Sequence, residues 1–317
     1  MQEEKQRPLV ILTGPTAVGK TALSIGLAKA INGEIISADS MQVYRHMDIG
    51  TAKITKEEMQ GVTHHLIDIL EPNEAFSVSD FQTLAKQAME SIWSKGKIPI
   101  IVGGTGFYIQ SVLYDISFEQ ADANQTYRQQ LQQIADTEGA EVLHSQLESL
   151  DPQSAKEIHP NNVKRVIRAL EYYHITGKKI SEHNQAERQK VSPYRFCYFV
   201  LSLPREVLYP RINARVDLMR EQGLTEEVQW LLKQGCTREM VAMQGLGYKE
   251  IIAALAGEYS LDAAYDKIKQ ETRHFAKRQF TWFRRERDVL WVEKEKFTGE
   301  DAILDYCLEQ LRSKGIL

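Results

Sequence analysis

The stretch Leu9-Val10-Ile11-Leu12-Thr13-Gly14-Pro15-Thr16-Ala17-Val18-Gly19-Lys20-Thr21 decides the fold. Its opening apolar run closes on Gly14, as a strand covered on both faces of a parallel sheet does. From Lys20 to Ile31 the periodicity turns helical, with Leu23, Leu27 and Ala30 on one side and Asn32-Gly33 as the stop. At the junction, Gly14, Pro15, Thr16, Ala17, Val18, Gly19, Lys20 and Thr21 match G-x-x-x-x-G-K-[ST] in full, in strand–loop–helix context. In such a loop the backbone N–H groups and the helix N-terminus cradle phosphate oxygens. Lys20 is expected to hold a terminal phosphate and the Thr21 hydroxyl a Mg²⁺ ion. The competing reading is a glycine-rich turn that only packs.

Strand and helix alternate outward from this stretch. Glu34 to Asp39 has the pattern of a second strand and His64 to Ile69 of a shorter one. Ser79 with Gln82 predicts a capping box opening a helix that runs to about Lys95. After Gly96, Ile98 to Val102 gives a further buried strand, ending in Gly103-Gly104-Thr105-Gly106. The alternation predicts an α/β fold, a parallel sheet wound with helices on both faces. Between Ser117 and Gly177 only helical patterns occur, with starts at Asp151-Pro152 and His159-Pro160-Asn161, and residues 178–193 are polar and aperiodic like a linker. A strand returns at Phe196 to Leu203, helices follow from about Arg205 to Glu286, and Val289 to Val292 forms a last strand. The expected organisation is a core of residues 1–115 and 194–317 interrupted by a helical insertion at 116–193.

The composition is that of an ordinary globular chain of 317 residues, 26% of them charged and 9% aromatic. No apolar run reaches the 18 or so residues that span a membrane, and the first residues are polar, which argues against a secretory segment. Cys197, Cys236 and Cys307 lie far apart without metal-ligand spacing, as expected of a reduced cytoplasmic protein. The net charge of −4 hides an asymmetry: from Lys267 to Arg287 there are eight Lys or Arg against two Glu, interleaved with Phe275, Phe280, Trp282 and Phe283. Such a stretch is an electrostatic footprint for a polyanion. Ile268, Phe275 and Trp282 recur every seven residues as a predicted buried stripe, with Lys269, Arg273, Lys277 and Arg284 on a neighbouring face. His46, His64 and His65 have no suitably spaced ligand partner and are expected to be structural.

The phosphate loop alone leaves its ligand open. Hydrolytic enzymes with this loop add an aspartate at the end of a second buried strand. Here the most apolar strand ends in glycines, and Asp39, which closes another, is followed by the polar run Ser40-Met41-Gln42-Val43-Tyr44-Arg45. A motor or switch ATPase is disfavoured. A small-molecule kinase, a diphosphate-cleaving transferase and a nucleotide-gated RNA binder remain.

Several segments resemble the tRNA dimethylallyltransferase family. They are the loop, Asp39 to Arg45, Met47-Asp48-Ile49-Gly50-Thr51-Ala52-Lys53, Gly103 to Tyr108, Gly245-Leu246-Gly247-Tyr248-Lys249-Glu250, and Thr272 to Arg284. They run in the family's order from residue 9 to about 292, without the C-terminal zinc finger of eukaryotic members, so the resemblance is to the bacterial type. It implies transfer of a dimethylallyl group from dimethylallyl diphosphate to N6 of adenosine 37 in tRNA. The loop would then hold a diphosphate leaving group rather than ATP. A Mg²⁺ cofactor, a monomer and no membrane partner complete the expectation.

The resemblance implies roles residue by residue. Asp39 would orient the adenine amine and take its proton, although a strand-end cap or indirect metal ligand is the plainer reading. Ser40, Met41 and Gln42 would line the pocket for a base taken out of its stack. Thr105 would touch both the target nucleotide and the diphosphate. Arg211 and Arg215 share a helix face; the family has an arginine here that meets the charge of the departing diphosphate, and Arg215 is the better fit. A surface salt bridge to Asp217 or Glu221 is the alternative. Arg128 and the run Val163, Lys164, Arg165, Val166, Ile167 in the insertion would meet the anticodon stem-loop. Gly247, Tyr248, Lys249, Lys277, Arg278, Gln279 and Arg284 complete the expected RNA contacts, the cations through phosphates.

Overall fold

The computed structural model describes residues 6–118 and 125–317. Six strands form one sheet: β1 (Pro8–Thr13), β2 (Gly33–Ala38), β3 (His64–His65), β4 (Ile98–Gly103), β5 (Arg195–Ser202) and β6 (Val289–Glu293). All neighbours are parallel, in the order β3-β2-β4-β1-β5-β6. β1 lies inside the sheet between β4 and β5, and Leu9 to Leu12 are fully buried. A strand covered on both faces must be apolar throughout, which is why this run carries no alternation.

Four helices accompany the first half: α1 (Lys20–Ala30), α2 (Lys56–Met59), α3 (Val78–Ser94) and α4 (Gly106–Leu113). The predicted start of α3 was two residues late. Its capping box is Ser77 with Asp80, whose carboxylate accepts from the Ser77 backbone N–H at 2.8 Å. Gln82 is instead buried and donates to the Ser111 carbonyl at 2.7 Å. Two segments fit the same capping pattern, and the one with the charged partner nearer the helix dipole's positive end prevails.

The chain divides into two compact units, residues 1–113 with 193–317 and residues 114–192. The second unit is all helical: α5 (Gln125–Thr137), α6 (Ala140–Leu150), α7 (Pro152–Glu157), α8 (Val163–Thr176) and α9 (Ile180–Gln189). The part of the helical expectation that falls on 119–124 lies outside the described residues. Leu131, Leu143, Leu147, Val166, Ile167 and Leu170 form the unit's own core. The polar stretch expected to be a linker contains α9, which has no buried residue. A helix that buries no face shows no apolar period. α9 is held by polar bonds at its start, where the Ser181 N–H and hydroxyl donate to the buried Asp151 carboxylate at 3.0 and 2.7 Å.

The first unit resumes with α10 (Arg205–Glu221), α11 (Leu224–Lys233), α12 (Tyr248–Leu255), α13 (Leu261–Phe283) and α14 (Glu300–Ser313). On α13 the expected stripe is wrong. Ile268 is buried, but Phe275 is 38% exposed and Trp282 only half-buried, while Ala264, Tyr265, Ala276, Gln279 and Phe283 form the buried face. A straight helix drifts about 20° per heptad, so the seven-residue repeat carries Phe275 and Trp282 from the middle of the buried face towards its margin. α14, not anticipated from the sequence, packs Ile303, Cys307 and Leu311 into the core that also holds Leu23 and Leu27 of α1.

Candidate active site

Register places the site. Gly103 at the end of β4 pairs with Thr13 on one side and with Ala38 on the other. Gly14, Asp39 and Gly104 therefore leave the sheet side by side at the carboxyl ends of three adjacent strands, where open parallel sheets bind ligands. The Thr13 hydroxyl donates to the Gly103 carbonyl at 2.6 Å and the Thr105 N–H to the Ala38 carbonyl at 3.1 Å, tying the ends together.

The loop is shaped by its backbone. Ala17 has φ 62° and Gly19 φ 94°, left-handed values that glycine tolerates best. Lys20 folds back over the loop and donates to the carbonyls of Gly14 and Pro15, each at 2.9 Å. Burial, helped by nearby Arg215 and opposed by Asp39, lowers the Lys20 pKa from 10.5 to about 8. Arg215 is itself lowered by burial and supported by Asp39 and Glu58. Its guanidinium donates to the Thr16 hydroxyl at 3.5 Å, whereas Arg211 is exposed. Two cations gathered around a phosphate-shaped loop, their protons loosened by burial, make a site short of negative charge.

Asp39 forms a turn over the next residues: its Oδ1 accepts from the N–H groups of Met41 and Gln42 at 2.9 and 3.4 Å. Oδ2 takes no part in that turn. The Ser40 N–H donates to the Thr105 hydroxyl at 3.3 Å, so Thr105 and Asp39 are held as one piece. Gln42, expected at the base pocket, is engaged inside the protein. Its amide group donates to the carbonyls of Thr51 and Ala52 at 3.3 and 3.4 Å, and the Ser37 hydroxyl donates to its oxygen at 3.2 Å.

The segment that holds Gln42 is fixed by a residue the sequence did not single out. The Glu227 carboxylate on α11 accepts from the N–H groups of Asp48, Ile49 and Gly50 at 2.8, 2.8 and 3.1 Å, and from the Tyr248 hydroxyl at 2.7 Å. Gly50 has no room for a side chain against the Tyr248 ring. Lys53 adds a second anchor, its side chain 5% exposed and its ammonium bonded to Asp48, Asp68 and the Tyr44 carbonyl at 2.6, 2.5 and 2.7 Å. Glu227 lies in an ordinary helical pattern and three of its four partners are backbone groups, so no side-chain spacing announces it.

The expected RNA contacts divide. Lys277, Arg278 and Arg284 are exposed on or just after α13, and Lys277 and Arg278 line a surface groove with His274, Thr281, Trp282 and Arg285. Lys269 is instead paired with Asp217 at 2.5 Å and Arg273 with Asn213 at 2.6 Å. Gly247 and the Tyr248 side chain are buried, which removes both as surface contacts, whereas Lys249 beside them is exposed. Gln279 is buried and spans two loops, its Oε1 accepting from the Thr16 N–H at 2.9 Å and its amide donating to the Gly104 carbonyl at 3.0 Å. Within the helical unit Lys164 and Arg165 are exposed and Val163 is half-buried, but Val166 and Ile167 belong to the core. Amphipathic packing spends those two positions inward, leaving the cations to face water. Arg128 is exposed and bonds to the buried Glu171 at 2.6 Å, with Arg168 beside it at 3.4 Å.

Among the described residues no cluster of three or more His, Cys, Asp or Glu side chains is arranged to enclose a metal. The oxygen donors at the loop are the exposed Thr21 hydroxyl, at the first turn of α1, and the Asp39 carboxylate. That sparse, hard donor set fits Mg²⁺, which keeps several waters and shares the oxygens of a bound phosphate.

The geometry has close relatives. A family model described as IPP transferase matches residues 42–286. A protein of Lachnoclostridium phytofermentans named tRNA dimethylallyltransferase is 59% identical over 98% of this chain and 99% of its own length. One of the same name from Bacillus cytotoxicus is 48% identical over 99% of both. Among solved structures, the tRNA isopentenylpyrophosphate transferase of Staphylococcus epidermidis superposes with a TM-score of 0.72 at 45% identity, covering 97% of this chain and 100% of that one. A eukaryotic dimethylallyltransferase described as acting on tRNA superposes with a TM-score of 0.78 at 31% identity, covering 90% and 74%. Matched along nearly its whole length in sequence and in fold, the chain belongs to the IPP transferase family.

Proposed function

We propose that this protein transfers the dimethylallyl group of dimethylallyl diphosphate to N6 of adenosine 37 in tRNA, releasing diphosphate. That it is a tRNA-prenylating enzyme follows from its family. The finer reading is supported above all by the three aligned strand ends, which put a phosphate loop, a carboxylate and Thr105 around one space.

The reaction breaks the bond between the allylic carbon and a diphosphate oxygen and forms a bond from that carbon to N6. The electron pair of the broken bond leaves with the diphosphate, and the N6 proton goes to Asp39. The loop amides, Lys20 and Arg215 receive the charge that grows on the leaving group, where preorganised donors lower the barrier. Bound Mg²⁺ would share that charge, held by Thr21. Asp39 keeps one oxygen in its turn, which fixes the carboxylate and leaves the other oxygen to take the proton. Lys164 and Arg165 of the helical unit and Lys277, Arg278 and Arg284 supply phosphate contacts.

The test uses purified protein, Mg²⁺, labelled dimethylallyl diphosphate and unmodified tRNA. Label should enter tRNA without added ATP. A requirement for ATP, or phosphorylation of a small metabolite instead, would overturn the reading.

A further inference from the structure

The segment Lys277-Arg278-Gln279 reads as a continuous RNA-binding run, but the middle residue turns the other way. Gln279 is 6% exposed, while its two neighbours are exposed. It lies 263 residues from Thr16 and 175 from Gly104, and it bonds to the backbone of both. Thr16 is gripped on its side chain as well, by Arg215. Gly104 has no space for a β-carbon because the Gln279 amide nitrogen occupies it, and Gly106 has none because of the Trp282 ring. Two glycines of Gly103-Gly104-Thr105-Gly106 are thus needed for α13 to dock.

We infer that Gln279 is a positioning residue: it joins the cationic helix α13 to the phosphate loop and to the strand end bearing Thr105, and it does not contact RNA. The inference rests on the prenyl-transfer reading for its ligands. Its donor and acceptor are both engaged by backbone, so the side chain reads no sequence and neutralises no phosphate. What it fixes is the spacing between the Thr16 amide and the Gly104 carbonyl. It also places the diphosphate pocket one helical face away from Lys277 and Arg278, so RNA held on those cations sits at a set distance from the leaving group.

The experiment measures two affinities on the intact protein, for inorganic diphosphate with Mg²⁺ by titration calorimetry and for unmodified tRNA across a salt series. KM and kcat for dimethylallyl diphosphate are taken beside them. Gln279→Ala should weaken diphosphate binding and raise its KM about tenfold, the loss expected of two backbone-directed hydrogen bonds. tRNA affinity and its salt slope should stay within twofold. Gln279→Met keeps the length of the side chain but neither hydrogen bond, so it should match alanine in diphosphate binding and leave tRNA affinity unchanged; it carries the test if the alanine variant does not fold. Weakened tRNA binding with unchanged diphosphate binding would overturn the inference, as would no change in either. Failure of the wild type to transfer label would instead refute the prenyl-transfer reading, and the diphosphate titration would still decide the role of Gln279.

Discussion

Replacing Glu227 with alanine tests whether a half-buried carboxylate holds the loop that holds the active site. The substitution removes four hydrogen bonds at once, three from loop amides and one from Tyr248. Their values differ because their surroundings do. Asp48 is exposed and Ile49 and Gly50 are half-buried, so their N–H groups regain water and each bond is worth about 0.5–1 kcal/mol. Tyr248 is fully buried, and its stranded hydroxyl costs about 1–3 kcal/mol. The sum is about 2.5–6 kcal/mol, a large share of the stability of an ordinary domain. Urea denaturation followed by fluorescence measures it. Tyr248→Phe, which removes one donor and strands nothing, should cost about 0.5–1.5 kcal/mol. In the double variant the Tyr248 penalty is gone, so its loss should be smaller than the sum of the single losses by about 1–2 kcal/mol. Because the same loop presents the Thr51 and Ala52 carbonyls to Gln42, kcat should fall in Glu227→Ala at temperatures where the protein is still folded. A loss below about 0.5 kcal/mol, or additive single losses, would refute the role assigned to Glu227.

Three further outcomes follow from the site. Asp39→Asn keeps an acceptor for the Met41 and Gln42 amides and removes only the charge, so kcat should drop about 10²–10⁴-fold with tRNA binding retained; equal loss of both in a binding titration would deny it the proton. Lys20, ordinarily near 10.5, is lowered to about 8, so the free protein should bind diphosphate progressively less well as pH rises through 8. The same depression means that the unfolded chain holds this proton more tightly, so the Lys20 contribution makes the unliganded protein more stable from about pH 8 towards 10.5, and Lys20→Arg should abolish the inflection in both pH profiles. Lys277→Ala should weaken tRNA binding at every salt concentration and reduce the slope of log affinity against log salt by about one, with KM for dimethylallyl diphosphate unchanged.

The elements that build the sheet were legible because buried parallel strands must be continuously apolar: Leu9 to Leu12 and Ile98 to Val102 carry that mark, as does the glycine-bounded loop between β1 and α1. What escaped reading has physical causes. α14 has the plain spacing Ile303, Cys307, Leu311, yet its face means nothing until α1 is known to lie opposite. α9 has no apolar face to read. The heptad of Ile268, Phe275 and Trp282 misled because a regular repeat is not a buried repeat in a straight helix. At the site, the loop is legible from its own spacing, whereas the roles of Asp39 and Thr105 come from the family resemblance. The roles of Gln279 and Glu227 could be read from neither, since each acts on backbone groups more than 170 residues away and a polar side chain among cations looks like one more RNA contact.

Prenyl transfer to a single adenine amine is decided by nucleoside analysis after reaction of the wild-type protein with labelled dimethylallyl diphosphate, Mg²⁺ and a tRNA transcript, in the absence of ATP. The expected product is N6-dimethylallyladenosine at position 37 alone, formed with one diphosphate released per group transferred and lost when that adenosine is replaced by guanosine. Label at other positions, transfer that survives the replacement, or turnover only when ATP is added would contradict the assignment of the Gly14 to Thr21 loop as a diphosphate clamp facing Asp39.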